Sequence, residues 1–264
     1  MPDAQGSEDA GLLMNSVVVS LLTFFAIFCG ALLGLGLSRQ LPTNHLSVES
    51  RTAVSVSMAV VGTLAALVIS LMISTANTAF SARTNAITTL AIDIVKLNRV
   101  LVRYGPDASG IRDELRKYAE AKAYELSMGR SDDRLSLDNL YMLEAINDRV
   151  AELRPGDDRL RMIQSQALQL IDAISDARWI LVERTSVFTP PPFLILVIFW
   201  LSLLYASFGL FAPSNKTVIT ILLLSALAIS GGIFLILELG SPTRGLIRVS
   251  VSPISDAIAE IEAR

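Results

Sequence analysis

Four stretches of this chain run for 20 residues or more without a charged side chain, and they limit its fold more tightly than anything else in it. Leu12–Leu37 holds 26 residues, Ala53–Phe80 holds 28, Phe193–Ala212 holds 20 and Thr217–Leu237 holds 21. A helix needs about 20 apolar residues to cross the hydrocarbon of a bilayer. A helix in a soluble core rarely stays apolar on every face for that long. All four are expected to be transmembrane helices. The composition agrees: 18% of the 264 residues are charged, against about 25% in soluble domains.

The first run does not have the form of a cleaved signal. Its leader, Met1–Gly11, carries Asp3, Glu8 and Asp9 and no basic residue, whereas a signal peptide opens on positive charge. The span is expected to remain in the mature protein. Four crossings put both termini and residues 81–192 on one side. Near the membrane that side offers Arg83, Lys96, Arg99, Arg178, Arg184, Arg244 and Arg248, against Arg39, Arg51 and Lys216 on the other. Basic residues favour the cytoplasm, so that side is expected to be cytoplasmic.

The segment between the second and third runs reads as a helical bundle. Ile87, Leu90, Ile94, Leu97, Leu101 and Tyr104 recur at alternating steps of three and four, the spacing of a coiled-coil seam. No Gly or Pro separates them from the second run, so one helix is expected to continue to Tyr104, where Gly105-Pro106 stops it. A second helix carries Ile111, Leu115 and Tyr118 on one face, and Gly129–Asp133 is a loop by composition. A third is expected from about Ser136 to Leu153. A fourth shows Leu160, Ile163, Ala167, Leu170, Ile174, Ala177 and Leu181 and ends at Pro190-Pro191-Pro192. The expected fold is an all-α membrane protein: four transmembrane helices with a coiled-coil-like bundle inserted between the second and third. Its expected parts are a tail (1–11), spans one and two (12–80), the bundle (81–192), spans three and four (193–239) and a closing segment (240–264).

Catalytic chemistry finds no foothold. The chain has no P-loop, no G-x-G-x-x-G, no H-E-x-x-H, no C-x-x-C and no G-x-S-x-G. Its single histidine, His45, lies in a short loop, and its single cysteine, Cys29, lies mid-span, where a thiol usually packs as a small apolar residue. No catalytic residue, metal site or cofactor is expected. The pairs Asp132-Asp133 and Asp157-Asp158 stand at loops or helix starts, where carboxylates suit the helix dipole. A net charge of −3 offers nothing to nucleic acid, and the 16 basic and 17 acidic residues of 81–192 are interspersed as on a solvated surface.

Small and polar residues inside the spans carry more information. Gly30 and Gly34 stand four apart in the first span, and Gly231 and Gly232 follow Ala228 in the fourth; both sets suit close helix packing. In the second span Thr63, Ser70, Ser74, Asn77 and Ser81 fall within about 60° on one helix face. Lipid cannot satisfy such groups. Two readings remain open: the hydroxyls bond back to the preceding turn and pack against a neighbour, or copies of this helix surround a pore. Glu238, at the end of the fourth run, needs a partner, and Arg244 or Arg248 is the nearest candidate.

The closing stretch Glu238-Leu239-Gly240-Ser241-Pro242-Thr243-Arg244-Gly245-Leu246-Ile247-Arg248-Val249-Ser250, followed by Pro253, resembles the final signature of the bestrophin-like domain family of four-span, mostly bacterial membrane proteins. Glu238, Pro242, Gly245, Ile247, Ser250 and Pro253 carry the likeness. Asn85-Ala86-Ile87 resembles the family's Asn-Ala-Ile element, although Arg83 stands where the family has Glu, and the second span lacks the aromatic neck of true bestrophins. The resemblance implies a homo-oligomer in the lipid bilayer, pentameric if truly bestrophin-like, that conducts anions through a pore lined by the second span. The alternative is a non-conducting scaffold or sensor whose cytoplasmic bundle binds a protein partner. After the motif, Ser252-Pro253 reads as the N-cap and first residue of a helix whose apolar face, Ile254, Ala257, Ile258 and Ile261, is expected to pack on the bundle or on another subunit.

Overall fold

The computed structural model describes residues 5–42, 47–128, 133–183, 191–240 and 249–263. These residues form helices and no strand: α1 (Gln5–Leu37), α2 (Val48–Tyr104), α3 (Ser109–Met128), α4 (Asp133–Glu152), α5 (Asp158–Glu183), α6 (Pro191–Phe211), α7 (Lys216–Gly240) and α8 (Ser252–Glu262). Four of them, α1, α2, α6 and α7, are long and apolar enough to cross a membrane. The contacts divide the chain into two compact units, Met1–Thr78 with Phe188–Ser241 and Ala79–Val187 with Pro242–Arg264.

In the first unit α1 packs along α6 and also touches α7. Glycine decides how closely. A Cβ on Gly34 would lie 2.0 Å from the Ala206 carbonyl oxygen, one on Gly30 2.8 Å from that of Ser202, and one on Gly209 of α6 2.0 Å from that of Ala31. The two backbones therefore touch, and a side chain at any of the three positions would force them apart. Gly34→Ala is expected to destabilise this crossing by about 1–3 kcal/mol through overpacking. Gly36→Ala is the control, because a Cβ there meets nothing within 4 Å; thermal denaturation of the detergent-solubilised protein compares the two. Gly231 and Gly232 make no such close approach among the described residues of one chain. A Cβ at either meets nothing within 4 Å, because the buried face of α7 is Leu222, Ala226, Ser230, Ile233 and Ile236. Cys29 is also a correction. It is exposed, since the α1 face that packs is built on Ile27 and Ala31, almost opposite it at 100° per residue.

Helix α2 is unbroken from Val48 to Tyr104, 57 residues, as the lack of Gly or Pro after Gly62 requires. It ends where Gly105 takes a φ of 114°, a backbone region open to Gly and costly for other residues; a 3₁₀ turn, Pro106–Ala108, follows. In the second unit the seam of α2 is the core. Ile87, Leu90, Ile94, Leu97, Leu101 and Tyr104 are all buried, together with Ile111, Leu115 and Tyr118 of α3, Leu143, Ile146 and Val150 of α4 and Ala167, Ile171, Ile174 and Leu181 of α5. Helix α8 completes this unit by packing Ile254, Ala257 and Ile261 against α3.

Helix limits differ from the sequence expectation in three places. Helix α4 starts three residues early, at Asp133. Pro191 and Pro192, expected to close the last bundle helix, stand instead in the first turn of α6, and α5 is described as far as Glu183. The first turn of a helix has no use for the N–H that proline lacks. Helix α8 takes Val251 as its N-cap, with Ser252 already helical; the Ser252 N–H donates to Ser250 Oγ at 3.2 Å, and the Ser252 hydroxyl accepts from Ser250 Oγ at 2.9 Å instead of capping. Asp157 does cap: Leu160 N donates to its Oδ1 at 2.6 Å. Asp132 and His45 lie outside the described residues.

Candidate functional site

Helix α2 owes its membrane half to residues with little to hold it in one subunit. Of residues 53–78, only Ala65, Met72 and Ala76 are buried, and they pack into the core of the first unit. At 100° per residue these three centre about 150° away from the stripe of Thr63, Ser70, Ser74, Asn77 and Ser81. The stripe thus lies on the side turned away from the packed face, and all five of its residues are exposed.

Their hydrogen bonding divides by residue type. Thr63 Oγ1 donates to the Ala59 carbonyl at 2.8 Å. Two neighbours do likewise, Thr75 to Leu71 at 2.9 Å and Thr78 to Ser74 at 2.9 Å. A threonine bonded to the preceding turn is satisfied without outside help. Ser70, Ser74, Asn77 and Ser81 make no side-chain hydrogen bond among the described residues. At hydrocarbon depth Ser70, Ser74 and Asn77 require water or another protein surface.

Over nearly its whole length the sequence matches the model of the bestrophin-like domain, residues 16–254. The chain belongs to the bestrophin-like domain family. Two solved structures share the fold of this bestrophin-like chain. One is a bacterial bestrophin homologue from Klebsiella pneumoniae with a point substitution, at 13% identity and a TM-score of 0.64, covering 96% of this chain and 98% of that one. The other is a membrane protein, also a substituted form, at 12% identity and a TM-score of 0.64, covering 95% and 98%. No curated protein matches the sequence. The protein is accordingly a multi-pass membrane protein of bestrophin-like fold.

Of the bestrophin-like closing motif, Glu238 is buried at the end of α7, 4% exposed. Ser250 accepts the Ser252 N–H, and Pro253 stands in the first turn of α8. Pro242, Gly245 and Ile247, with Arg244 and Arg248, lie outside the described residues. Arg83 is half-buried; burial lowers its pKa, against the pull of the Glu125 carboxylate.

Sequence reasoning missed that carboxylate and its surroundings. Glu125 accepts from Lys122 Nζ at 2.8 Å and from Asn139 Nδ2. Lys122 is 1% exposed, Asn139 2% and Glu125 8%. Beside them Tyr118 is fully buried with its phenol pKa raised by burial. Arg178, also buried, donates from Nη2 to the Ser136 carbonyl at 2.9 Å. The signal was present: from Ile111, steps of four and three lead through Leu115 and Tyr118 to Lys122 and Glu125. Two charges at core positions of a heptad pattern are expected to pair, since neither is tolerated there alone.

Proposed function

We propose that the protein is a homo-oligomeric ion channel in which copies of α2 surround the pore and Thr63, Ser70, Ser74, Asn77 and Ser81 line it. One observation carries this reading: the stripe of Thr63, Ser70, Ser74, Asn77 and Ser81 is exposed and stands away from the face that packs. Serines and an amide around an axis replace part of an ion's hydration without setting a fixed charge in its path, which suits anions better than a ring of carboxylates would. Membership in the bestrophin-like family supports an anion channel, and a pentamer is the assembly we propose. Water-soluble thiol reagents test the lining. With Cys29→Ser as background, Ser70→Cys, Ser74→Cys and Asn77→Cys are expected to react in the folded oligomer and to lower the current in planar bilayers. Inert thiols at all three positions would end the channel reading and favour a non-conducting scaffold.

We place both termini and residues 81–192 in the cytoplasm of a bacterial cell, on the basic-residue count beside the membrane. In the same Cys29→Ser background, Ser131→Cys is expected to stay unlabelled by an impermeant reagent until the cells are opened. Ready labelling of intact cells would reverse the orientation.

A further inference from the structure

The buried carboxylate of Glu125 is outnumbered by the cations around it. Its Oε2 accepts from Lys122 Nζ at 2.8 Å and from Asn139 Nδ2, and the charges of Arg83 and Arg178 also reach Lys122. Three positive groups thus gather about one negative group, all within the second unit. Arg178, 4% exposed, crosses from α5 to the Ser136 carbonyl of α4. Ser136 lies one turn before Asn139, about 4.5 Å along the helix axis, and Arg178 and Glu125 form no ion pair among the described residues. Arg83, half-buried, makes neither a hydrogen bond nor an ion pair among them. Two donors are also left over: Tyr118 Oη and Arg178 Nε are buried and have no hydrogen-bond partner. Tyr118 precedes Lys122 by one turn on the same face of α3, and the charges of Arg178 and Glu125 both act on its phenol.

We propose that this cluster is a binding site for a small inorganic anion, held by Tyr118 Oη and Arg178 Nε and balanced by the charge of Arg83. Buried polar atoms in folded proteins nearly all find a partner, and buried charges are paired. Here two donors and an excess of positive charge lack one. Water would satisfy the donors and leave the charge; an anion meets both deficits at once. Arginine suits the task, since its guanidinium is more weakly hydrated than an ammonium and keeps its charge when enclosed. Lys122 and Asn139 already donate to Glu125, so they set the local charge without having to touch the ligand. Of the three cations Arg83 alone is partly open to solvent, and it marks the side from which the anion arrives. The site does not depend on the pore reading, because every group in it belongs to the bundle.

Thermal denaturation of the purified full-length protein in detergent tests it. Chloride is exchanged for gluconate at constant ionic strength, and inorganic phosphate serves as a second probe. A ligand of the folded state raises stability by mass action, so the midpoint is expected to climb with the logarithm of chloride or phosphate concentration. The two series tell a halide site from an oxyanion site. Tyr118→Phe keeps the ring and removes the hydroxyl; it is expected to raise the anion concentration needed for the same shift roughly tenfold, the worth of one hydrogen bond to a charged group. Arg178→Lys keeps the charge, loses Nε and is expected to act in the same direction. Should Arg178→Lys fail to fold, Tyr118→Phe carries the test alone. Arg161→Gln alters an exposed ion pair on α5 and is expected to leave the response intact. A midpoint indifferent to both anions would mean that water fills the two donors, and the site would fall. An anion response that survives Tyr118→Phe unchanged would put the ion elsewhere and overturn the assignment equally.

Discussion

Replacing Ser74 by leucine is expected to abolish ion conduction while leaving the protein folded and assembled. Ser74 is exposed on the polar face of α2, and no packed neighbour in its own subunit has to move for a larger side chain. Ringed around an axis, several leucines at one level would narrow the path and dewet it, which is how apolar constrictions close channels. Single-channel recording from purified protein in planar bilayers, with the stoichiometry measured on the same sample, is the check. Loss of current with an unchanged oligomer is the expected result. If Ser74 instead packed against a neighbouring helix, the same change would overpack that contact by about 1–3 kcal/mol, and the oligomer rather than the current would suffer. Ala76→Leu gives the comparison: Ala76 is 4% exposed within the first unit, so its enlargement should destabilise the protein first.

The second large effect is expected in the bundle. Glu125→Ala leaves the Lys122 ammonium, 1% exposed, without its acceptor and deprives Asn139 of the same partner. Removing one member of a buried ion pair costs about 3–5 kcal/mol, a large share of what holds a domain folded. The paired change Lys122→Met with Glu125→Leu is expected to recover most of that loss, because an apolar pair needs no desolvated charge. Denaturation of the detergent-solubilised protein compares the three forms. The pH dependence has a definite sign. Burial lowers the Lys122 pKa from its ordinary 10.5, although Glu125 opposes the shift. Between the lowered folded value and 10.5, the unfolded chain holds a proton that the folded one has released, so stability rises with pH across that window. With Glu125 gone the folded pKa falls further, and the rise should begin at lower pH. A stability curve that keeps its onset would sink this assignment.

Much of the fold was legible before any contact was known. The spans follow from uninterrupted apolar composition, and the continuity of α2 follows from a stretch with no helix breaker between Gly62 and Gly105. The core seam of the bundle follows from steps of three and four, since residues so spaced share a helix face whatever packs against them. The polar face of α2 belongs to the same class: its phase is set by the helix itself. Lys122 and Glu125 continue the Ile111–Tyr118 face in the sequence, but the spacing alone did not identify them as a buried pair.

What could not be read is which surfaces meet. Gly30 and Gly34 announced a close approach, but that α6 answers with Gly209 against Ala31 depends on two segments about 175 residues apart in the chain. At Gly231 and Gly232 a Cβ meets nothing within 4 Å among the described residues of one chain, because a small residue permits a contact without supplying a partner. Asn139 joins Glu125 only because α3 and α4 pack together. Sequence by itself determined the membrane spans, the helices and their apolar and polar faces, since these depend on local composition and the period of the α-helix. The tertiary structure alone decided which glycines are crossings, which charges are buried and that the polar face of α2 is turned away from its own subunit, since each of these is a property of two helices and not of one.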